Sequence, residues 1–466
     1  MVIPRTDPLP LLGAGPVAGI DDYVALGGGE ALTLARSSGP DAVIAEIRRS
    51  GLRGRGGAGF PTATKWEAVR SDTCPTRYVV CNAAEGEPGT FKDRWLLRTN
   101  PYQVLEGLAI AALAVDADRA FVAVKGALGR EIGALRQAIA QTTAIDGFWS
   151  VPVKLITGPD EYLFGEEKAL LEVVEGGEPL PRILPPYRVG LFARCGSLNP
   201  TLVNNPETLA NVPLILRKGA DAFRSLGAKG SPGTMLFTLS GDVRRPGVYE
   251  LPMGTPLREL LYCAGGGPAR GAELKVVFAG TSARPLTRTR FDTPLDFDSL
   301  RDVGSGLGSG GFVAYDESAC IVRATLQFAR FLWIESCAQC PACKQGAQEI
   351  VEALERIERG SGGEADVRTA LAKCGTVTGG SRCGLALGTS LMVAGALDSF
   401  EEEVRAHLGR SCPRPRRLRL PKFVDFDPKR CRFIYDRAYR FKRADWTHAR
   451  ARPGPGPETR HVGEVP

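Results

Sequence analysis

The sequence predicts three folded units: an α/β domain, a small α+β domain and a helical bundle. In residues 51–228, β-rich runs such as Tyr78–Asn82 and Ala120–Val124 alternate with helical segments, which is typical of a largely parallel sheet. Residues 229–313 are instead predicted to form a strand, a Gly/Pro turn, a second strand and a short helix on one small sheet. Residues 314–410 carry a helical pattern, with the last helix expected over Thr389–His407, which predicts a bundle.

The composition is that of a globular protein. The chain has 466 residues, of which 43% are hydrophobic and 24% charged, so it can bury several cores. No apolar run reaches the ~18 residues that a membrane helix needs, and Leu105–Val115 is expected to be a buried helix. Prolines interrupt the N-terminal residues, so we expect no secretory signal and a cytoplasmic protein with reduced thiols.

Histidine is scarce, and its three positions, His407, His448 and His461, all lie near the C-terminus. Ser-His-Asp or Cys-His catalysis and a histidine-rich zinc site are therefore excluded from the first 400 residues. If the main body is an enzyme, a cofactor is expected to carry its chemistry.

The basic charge is concentrated at the end of the chain. The net charge is +7, but residues 411–466 hold 15 of the 59 Lys/Arg and 6 of the 52 Asp/Glu, which leaves 44 basic and 46 acidic residues elsewhere. Seven aromatic residues lie among these arginines between Phe423 and Trp446. Three interpretations of this tail stay open: partner docking, a solvated or self-packing extension, and nucleic-acid binding. Its last segment, ARPGPGPETRHVGEVP, is expected to be flexible.

Three cysteines occur at C-x2-C-x2-C spacing in ESCAQCPACKQG, namely Cys337, Cys340 and Cys343. This spacing fits one turn-like loop around an inorganic core, and it favours iron–sulfur ligation over zinc, which more often uses two separated pairs. Cys383 is expected to be the fourth ligand, with Cys374 as a competitor. The seven other cysteines lack such spacing and are expected to be unligated: Cys74, Cys81, Cys195, Cys263, Cys320, Cys412 and Cys431.

A glycine-rich loop lies in GLRGRGGAGFPTATKW, where Gly54, Gly56 and Gly59 form a nominal dinucleotide fingerprint. A helix and not a strand is predicted to precede it, so the fingerprint is in the wrong context. The loop still offers backbone amides and three basic side chains that could hold a phosphate or a flat ring. A tight connector without a ligand is the alternative.

Five segments follow one another in the chain: GLRGRGGAGFPTATKW, CNAAEGEPGTFKDR, YLFGEEKALLEVVEG, PTLVNNPETLANVP and ESCAQCPAC. Together they resemble the NADH-binding, 51-kDa-type flavoprotein (F) subunits of respiratory complex I and their relatives in NAD-dependent hydrogenases and formate dehydrogenases. The resemblance covers about residues 45–408. It implies a Rossmann-like α/β domain with FMN (51–228), a ubiquitin-like SLBB β-grasp domain (229–313) and a helical bundle with a 4Fe-4S cluster (314–410), between an N-terminal extension (1–50) and the basic tail (411–466).

The resemblance also assigns residues to each cofactor. FMN would contact Gly54, Arg55, Gly56, Lys65, Asn82, Glu85, Gly165, Glu166, Glu167, Asn204, Asn205 and Thr208. NADH would contact Phe60, Glu87 and Tyr162. The cluster ligands would be Cys337, Cys340, Cys343 and Cys383. NADH would reduce FMN by hydride transfer, and single electrons would pass through the cluster, with no catalytic protein residue implied.

The implied partners are other redox subunits, among them a small iron–sulfur protein, or a quinone-reducing complex. The basic tail is a candidate docking segment, nucleic acid is not expected, and any membrane association would be peripheral, on the inner face, through a larger complex. No direct membrane insertion is expected.

The sequence departs from the family at five positions. Ala84 replaces the acid of the CNADE loop, and Phe164 replaces the cysteine before GEE. The others are Ala68 for an aromatic residue, Leu184 for a basic one and Tyr187 for a phenylalanine. Most surround the predicted NADH side, so two alternatives stay open: a divergent paralogue with another electron donor or acceptor, and a non-catalytic scaffold.

Overall fold

The computed structural model describes residues 11–13, 15–414 and 416–444. The helices are α1 (Ile20–Ala25), α2 (Glu30–Ser38), α3 (Pro40–Ser50), α4 (Thr62–Arg70), α5 (Lys92–Thr99), α6 (Pro101–Val115), α7 (Gly129–Thr143), α8 (Glu167–Val174), α9 (Pro206–Lys218), α10 (Ala220–Arg224), α11 (Phe297–Asp302), α12 (Ile321–Glu335), α13 (Pro341–Arg359), α14 (Glu364–Thr376), α15 (Leu385–Ser399) and α16 (Glu401–Arg405). The strands are β1 (Tyr78–Ala83), β2 (Arg119–Lys125), β3 (Val153–Gly158), β4 (Thr201–Asn204), β5 (Gly227–Ala228), β6 (Ser231–Pro232), β7 (Thr234–Gly241), β8 (Gly247–Pro252), β9 (Leu274–Ala279), β10 (Leu286–Thr287), β11 (Gly311–Asp316), β12 (Phe423–Asp427) and β13 (Arg432–Tyr435).

The first domain is built on a parallel sheet with the strand order β3-β2-β1-β4. Val80 of β1 pairs with Phe121 of β2 on one side and Val203 of β4 on the other. Because helices cover both faces, the central strands are apolar on both sides instead of alternating. The carboxyl ends of β1 and β4 lie side by side, so Asn82 and Asn204 reach the same edge of the sheet.

Helix α6 is the central helix of this domain, and 14 of its 15 residues are buried. The Asn100 side chain caps it by accepting a hydrogen bond from the Gln103 amide. Helix α9 crosses so closely at Gly107 that a Cβ there would lie 2.0 Å from the Leu209 carbonyl oxygen. The buried helix expected over Leu105–Val115 is confirmed, and it begins four residues earlier than expected.

The second domain is a five-stranded mixed sheet with the order β10-β9-β11-β7-β8. Strands β7 and β8 form an antiparallel hairpin, and β11 returns parallel to β7. Phe278 of β9 stacks on Phe328 of α12 with ring centroids 5.0 Å apart, which ties this sheet to the helical bundle. The predicted fold class, an α/β domain followed by an α+β domain and a helical bundle, is confirmed.

The bundle consists of α12 to α16, and two details differ from the sequence prediction. Helix α13 begins at Pro341, so Cys343 lies in its first turn and not in a loop. The single helix expected over Thr389–His407 is divided into α15 and α16, which meet at Phe400. None of the described helices combines the length and the hydropathy needed to cross a membrane.

The tail folds back onto the body over its described residues, 411–414 and 416–444, which we call the strap. Its hairpin, β12 with β13, buries Phe423, Phe426 and Phe433 in the core of the first domain. Phe433 lies 5.8 Å from the Phe91 ring, between ring centroids. Arg94 donates to the Phe423 carbonyl at 2.7 Å, so a buried arginine fixes the hairpin in place.

Ion pairs join the strap to the other two units. Arg416 contacts Asp242 and Asp316 of the second domain, and Lys442 lies 2.9 Å from Glu335 of the bundle. Part of the basic surplus of the tail is therefore neutralised within the molecule. Of the three interpretations, self-packing describes this segment, while the terminal stretch expected to be flexible lies outside the described residues.

Candidate functional site

A cleft of about 740 Å³ opens where the carboxyl ends of β1 and β4 meet the glycine-rich loop, the second domain and the bundle. The structure brings 14 of the 15 residues predicted to contact FMN or NADH to this cleft. They are Gly54, Gly56, Phe60, Lys65, Asn82, Glu85, Glu87, Tyr162, Gly165, Glu166, Glu167, Asn204, Asn205 and Thr208. Their assignment to one cofactor or the other stays a prediction.

Arg55 is the exception, because it does not line the cleft, and its assignment to FMN stays a prediction. It is fully buried, and its guanidinium donates to the carbonyl oxygens of Arg53, Pro232 and Thr234 at 3.2, 2.8 and 3.1 Å. Burial lowers its pKa to about 10. The guanidinium therefore holds the loop to the second domain through its Nη2 nitrogen, whereas its buried Nε has no hydrogen-bond partner among the described residues.

The glycine-rich loop lies close against the turn between β4 and α9. The Gly54 amide donates to the Phe60 carbonyl at 2.8 Å and closes the loop. A Cβ on Gly56 would lie 3.2 Å from the Asn205 Cβ, and Gly59 has φ +62° with the Phe297 ring directly behind it. The N-termini of α4 and α9 both border the cleft, so backbone amides and Lys65 converge on it. A phosphate-bearing flavin fits this chemistry.

A buried ion network lies behind the loop. Lys92 is completely buried, and its Nζ lies 2.7 Å from carboxylate oxygens of both Asp93 and Glu207. The side-chain amide of Asn205 donates to the other carboxylate oxygen of Asp93 at 2.7 Å. Burial raises the pKa of Asp93 to about 6 although Lys92 opposes this shift. Burial alone would lower the pKa of Lys92, but the two neighbouring carboxylates raise this pKa by more. The net effect is a raised pKa, so Lys92 stays charged.

Two acidic residues of the CNAAEGEP segment are held in different ways. Glu85 pairs with Arg94 at 2.8 Å and is itself part of the interior of the first domain. Glu87 instead reaches the second domain, where its carboxylate accepts hydrogen bonds from the Thr281 amide at 2.9 Å and from the Ser309 hydroxyl. Glu87 therefore joins the two domains at the mouth of the cleft.

The GEE turn places its two carboxylates at the start of α8. Glu166 caps the helix by accepting from the Lys168 and Ala169 amides at 3.0 Å, and Glu167 pairs with Lys65 at 2.5 Å. Burial raises the pKa of Glu166 to about 7, while Lys168 partly opposes this shift. One wall of the cleft therefore carries a carboxyl group that titrates near neutral pH.

The four predicted cluster ligands, Cys337, Cys340, Cys343 and Cys383, line one small enclosed space between α13, the loop before it and the loop before α15. Cys374 lies on α14 and does not line this space. Burial raises the pKa of Cys383 to about 12 and also raises the pKa of Cys343. Four thiols around an apolar space suit a cationic inorganic core, because thiolates there need a positive partner.

The cysteine space adjoins the cleft directly. Cys383, Leu163 and Leu385 line both of them. A group in the cleft and a group held by the four cysteines would therefore be separated by single side chains and not by a further layer of secondary structure.

The departures from the family pattern fall into two groups. Ala84 and Phe164 are both buried, and both belong to one hydrophobic cluster below the cleft. Ala68 is exposed on α4, and Leu184, 48% exposed, does not line the cleft. Tyr187 packs at the edge of the main core. Ala84 also lines the cleft, so it is the departure that lies at the site, with Phe164 packed in the same cluster.

Sequence reasoning missed the contribution of the second domain to the cleft. Thr281, Ser309 and Phe297 line it, although none of them belongs to a recognisable motif: the first two come from loops and Phe297 begins α11. It also missed Lys92 and Asp93, which lie inside the quoted segment CNAAEGEPGTFKDR. The adjacent opposite charges of Lys92 and Asp93 were a signal in the sequence, whereas no local pattern marked Thr281, Ser309 or Phe297.

Three family models match the chain. They describe a Nuo51 FMN-binding domain (residues 47–214), an SLBB domain (236–282) and an NADH-ubiquinone oxidoreductase-F iron–sulfur binding region (323–407). The matched regions correspond in order to the α/β domain, the mixed sheet and the bundle.

Curated relatives match along most of their length. The second F-type subunit of the NADH-quinone oxidoreductases of Rhizobium meliloti is 40% identical over 84% of this chain and 96% of its own. The corresponding F-type polypeptide of Aquifex aeolicus is 36% identical over 86% and 93%. The HndC polypeptide of the NADP-reducing hydrogenase of Solidesulfovibrio fructosivorans is 35% identical over 88% and 85%.

Crystal structures of an NAD+-reducing [NiFe]-hydrogenase have a similar fold. In the air-oxidised state the TM-score is 0.72 at 35% identity, and in the H2-reduced state it is 0.75 at 33%. The alignments cover 79% and 84% of this chain but 63% and 67% of the hydrogenase chains.

Proposed function

This chain belongs to the family of the F-type subunits of NADH-quinone oxidoreductases, and from that premise we propose which of its residues carry the activity. It is an NADH dehydrogenase flavoprotein subunit, an oxidoreductase whose cofactors are FMN and a 4Fe-4S cluster and whose substrate is NADH. When bound, the two cofactors supply the conversion of a hydride into single electrons.

The glycine-rich loop and the start of α9 are proposed to hold the flavin. Gly56 allows the backbone to approach closely, and Lys65 supplies a cation for a phosphate. Asn205, oriented by Asp93, presents its amide from the floor of the cleft. The remaining predicted flavin contacts share this floor: Gly54, Asn82, Glu85, Gly165, Glu166, Glu167, Asn204 and Thr208.

The nucleotide is proposed to enter from the more open side of the same cleft. Phe60 is 52% exposed there, which leaves an aromatic face available for stacking. Glu87 offers a carboxylate held by Thr281 and Ser309, and Tyr162 packs with its ring 5.1 Å from that of Phe331. These three residues would orient the substrate and exclude water, so no protein acid or base is required.

One observation carries the proposal: Cys383 lines both the cleft and the cysteine space. A cluster held by Cys337, Cys340, Cys343 and Cys383 would sit directly beside a flavin held by the glycine-rich loop. A short separation favours transfer of single electrons between two bound groups, because the rate of electron tunnelling falls steeply with distance.

The decisive experiment mixes the flavin-loaded protein with NADH in an anaerobic stopped-flow instrument. We expect rapid bleaching of the flavin absorbance, followed by the paramagnetic signal of a reduced cluster. Flavin that dithionite bleaches but millimolar NADH does not would favour the alternative, a divergent or non-catalytic subunit.

A matched pair of variants tests the cluster assignment. Cys383→Ser should lose the cluster and its signal while NADH still bleaches the flavin. Cys374→Ser, which changes a cysteine of the same bundle that does not line the cysteine space, should retain both. The opposite pattern would make Cys374 the fourth ligand.

Redox partner subunits are implied because the relatives are subunits of NADH-quinone oxidoreductases and hydrogenases. We propose that the acceptor is a small iron–sulfur protein, that the chain is cytoplasmic, and that any membrane contact is peripheral and made through a larger complex. The exposed arginines of the strap, Arg417, Arg419, Arg437 and Arg440, border a groove of about 680 Å³ beside α12 and could receive an acidic partner surface.

Because deleting the whole tail would also remove buried phenylalanines, charge reversal is the cleaner test of docking. Arg437→Glu with Arg440→Glu should reduce copurification of the partner subunit, whereas Arg405→Glu, on the exposed side of α16, should not. Unchanged copurification in both proteins would remove the docking role.

A further inference from the structure

Three side chains that commonly bind metals meet where the strap leaves the bundle. Cys320 immediately precedes α12, His407 follows α16 and Cys412 lies in the first residues of the strap. Their ligand atoms all lie within 4.8 Å of one another, and the distance from Cys320 Sγ to His407 Nε2 is 3.2 Å. Among the described residues, no other three His, Cys, Asp or Glu side chains come together this closely.

The imidazole of His407 is oriented so that one nitrogen is free to act as a ligand. Its Nδ1 lies 2.7 Å from the Glu403 carbonyl oxygen. Because a carbonyl can only accept, Nδ1 carries the proton, and in the neutral ring Nε2 has a lone pair directed towards Cys320. Metal-bound histidines typically donate their second nitrogen to a carbonyl or carboxylate in this way.

The surroundings suit a divalent cation bound by two thiolates. Cys320 and His407 are completely buried, whereas Cys412 is partly exposed, so the group is open to solvent on one side. The Arg323 amide donates to Cys320 Sγ at 3.4 Å, a hydrogen bond that a metal-bound thiolate would also accept. Two thiolates cancel the charge of a divalent ion, so its burial would leave no net charge in the interior.

We propose that Cys320, His407 and Cys412 form a binding site for a thiophilic divalent cation, with zinc as the ion that this donor set prefers. Two sulfurs and one imidazole nitrogen are a common zinc ligand set, and the solvent-facing side leaves room for a fourth ligand such as water. With Zn–S near 2.3 Å and Zn–N near 2.0–2.1 Å, tetrahedral ligand atoms lie roughly 3.3–3.8 Å apart. The observed separations need only small movements to reach that geometry.

This site shares no residue with the four-cysteine space and needs neither FMN nor the cluster. It would connect the bundle, through Cys320 and His407, to the beginning of the strap. Its role would therefore be to fasten the strap, and it would act beside the ion pair between Arg414 and Glu403, whose closest atoms are 3.4 Å apart.

The test uses the full-length protein, purified under reducing conditions with its flavin and iron in place and then equilibrated with Zn2+ alone. Zinc and iron contents are measured on the same sample, and the zinc shell is read by X-ray absorption at the zinc edge, where flavin and iron contribute nothing. We compare the wild type with Cys412→Ser and with Cys431→Ser. Cys431 is the matched control because it lies on the same strap with its thiol 3.7 Å from the Pro428 carbonyl.

We expect the wild type and Cys431→Ser to retain zinc with sulfur and nitrogen in its shell. Cys412→Ser should bind zinc about 10–100-fold more weakly, while its iron and flavin contents stay unchanged. Equal zinc affinity in the wild type and Cys412→Ser would overturn the proposal. So would a zinc shell without nitrogen, which would place the ion among the cluster cysteines, or a Cys320–Cys412 disulfide found by mass spectrometry.

Discussion

The two sides of the central cleft hold their polar groups in opposite ways. On the flavin wall, formed by the glycine-rich loop as far as Gly59 and by the start of α9, Asn205 is fixed by Asp93, which is fixed by the fully buried Lys92. On the open wall, formed by Phe60 and the loops of the second domain, Phe60 is 52% exposed and Glu87 is held by two hydroxyl-bearing residues. The first arrangement suits a cofactor that stays, and the second suits a substrate that must leave.

Removing the cation of the flavin wall should have the largest effect. Lys92→Met leaves Asp93 and Glu207 buried without their cation, although each keeps one hydrogen bond. We therefore expect the free energy of unfolding to fall by about 3–5 kcal/mol and the flavin to be lost. Urea unfolding and flavin content measure this. The control is Lys154→Met on β3, where the lysine is exposed and both quantities should stay unchanged. If Lys92→Met and Lys154→Met changed stability and flavin content equally, Lys92 would have no special role in the flavin wall.

The pH dependence of stability should report on Glu166. Because its pKa rises from 4.5 to about 7 on folding, the native state binds more protons than the unfolded state between these values. Stability should therefore fall as the pH rises through this range, by at most about 3 kcal/mol from this group. Glu166→Gln should reduce that slope, measured by urea unfolding at several pH values.

Some slope should persist in Glu166→Gln, because burial also raises the pKa of Glu250 to about 7. Glu178→Gln, at an exposed position in the segment after α8, serves as the control and should keep the slope of the wild type. A slope that Glu166→Gln leaves intact would contradict the assignment of this titration to the GEE turn.

A change on the open wall should alter substrate binding and little else. Thr281→Val removes the hydroxyl that lies 3.1 Å from Glu87, so we expect KM for NADH to rise roughly fivefold, which corresponds to about 1 kcal/mol. Flavin content and unfolding should remain those of the wild type. Thr287→Val, whose hydroxyl faces Thr289, is the control for a lost hydroxyl in the same domain. Loss of flavin in Thr281→Val would show that the two walls are not independent.

The smallest effect is expected at Leu184, an exposed departure that lies outside the cleft. Leu184→Lys restores the basic residue of the family pattern, but the side chain is half exposed and lines neither wall. We expect KM and stability to stay within the roughly 0.5 kcal/mol typical of surface changes. A clear drop in KM for NADH would show that the segment around Leu184 also contributes to substrate binding.

Most of the fold could be predicted because its signals are local. The alternation of strands and helices and the C-x2-C-x2-C spacing are readable in the printed sequence, and both correspond to elements of the structure. The direction of a side chain is not local. Arg55 lies between two glycines of the loop, yet its guanidinium turns towards Pro232 because three carbonyls are available there.

Contributions from distant parts of the chain could not be predicted either. Thr281 and Ser309 reach Glu87 only because the second domain packs on the first, and no spacing in the sequence encodes that contact. In the tail, the arginines dominate the sequence pattern through their charge, although Phe423, Phe426 and Phe433 carry the packing. Apolar residues inside a basic segment therefore indicate packing independently of the charge around them.

The strap also has a consequence for how the protein is made. Ribosomal synthesis releases the N-terminal domains first, and domains generally fold as units as they emerge. The strap contacts Arg94 of the first domain, Asp242 of the second and Glu335 of the bundle, so these contacts form only after residues 411–444 have left the ribosome. A nascent chain stopped before residue 411 would carry every predicted flavin, nucleotide and cluster residue but lack the brace that joins its three units.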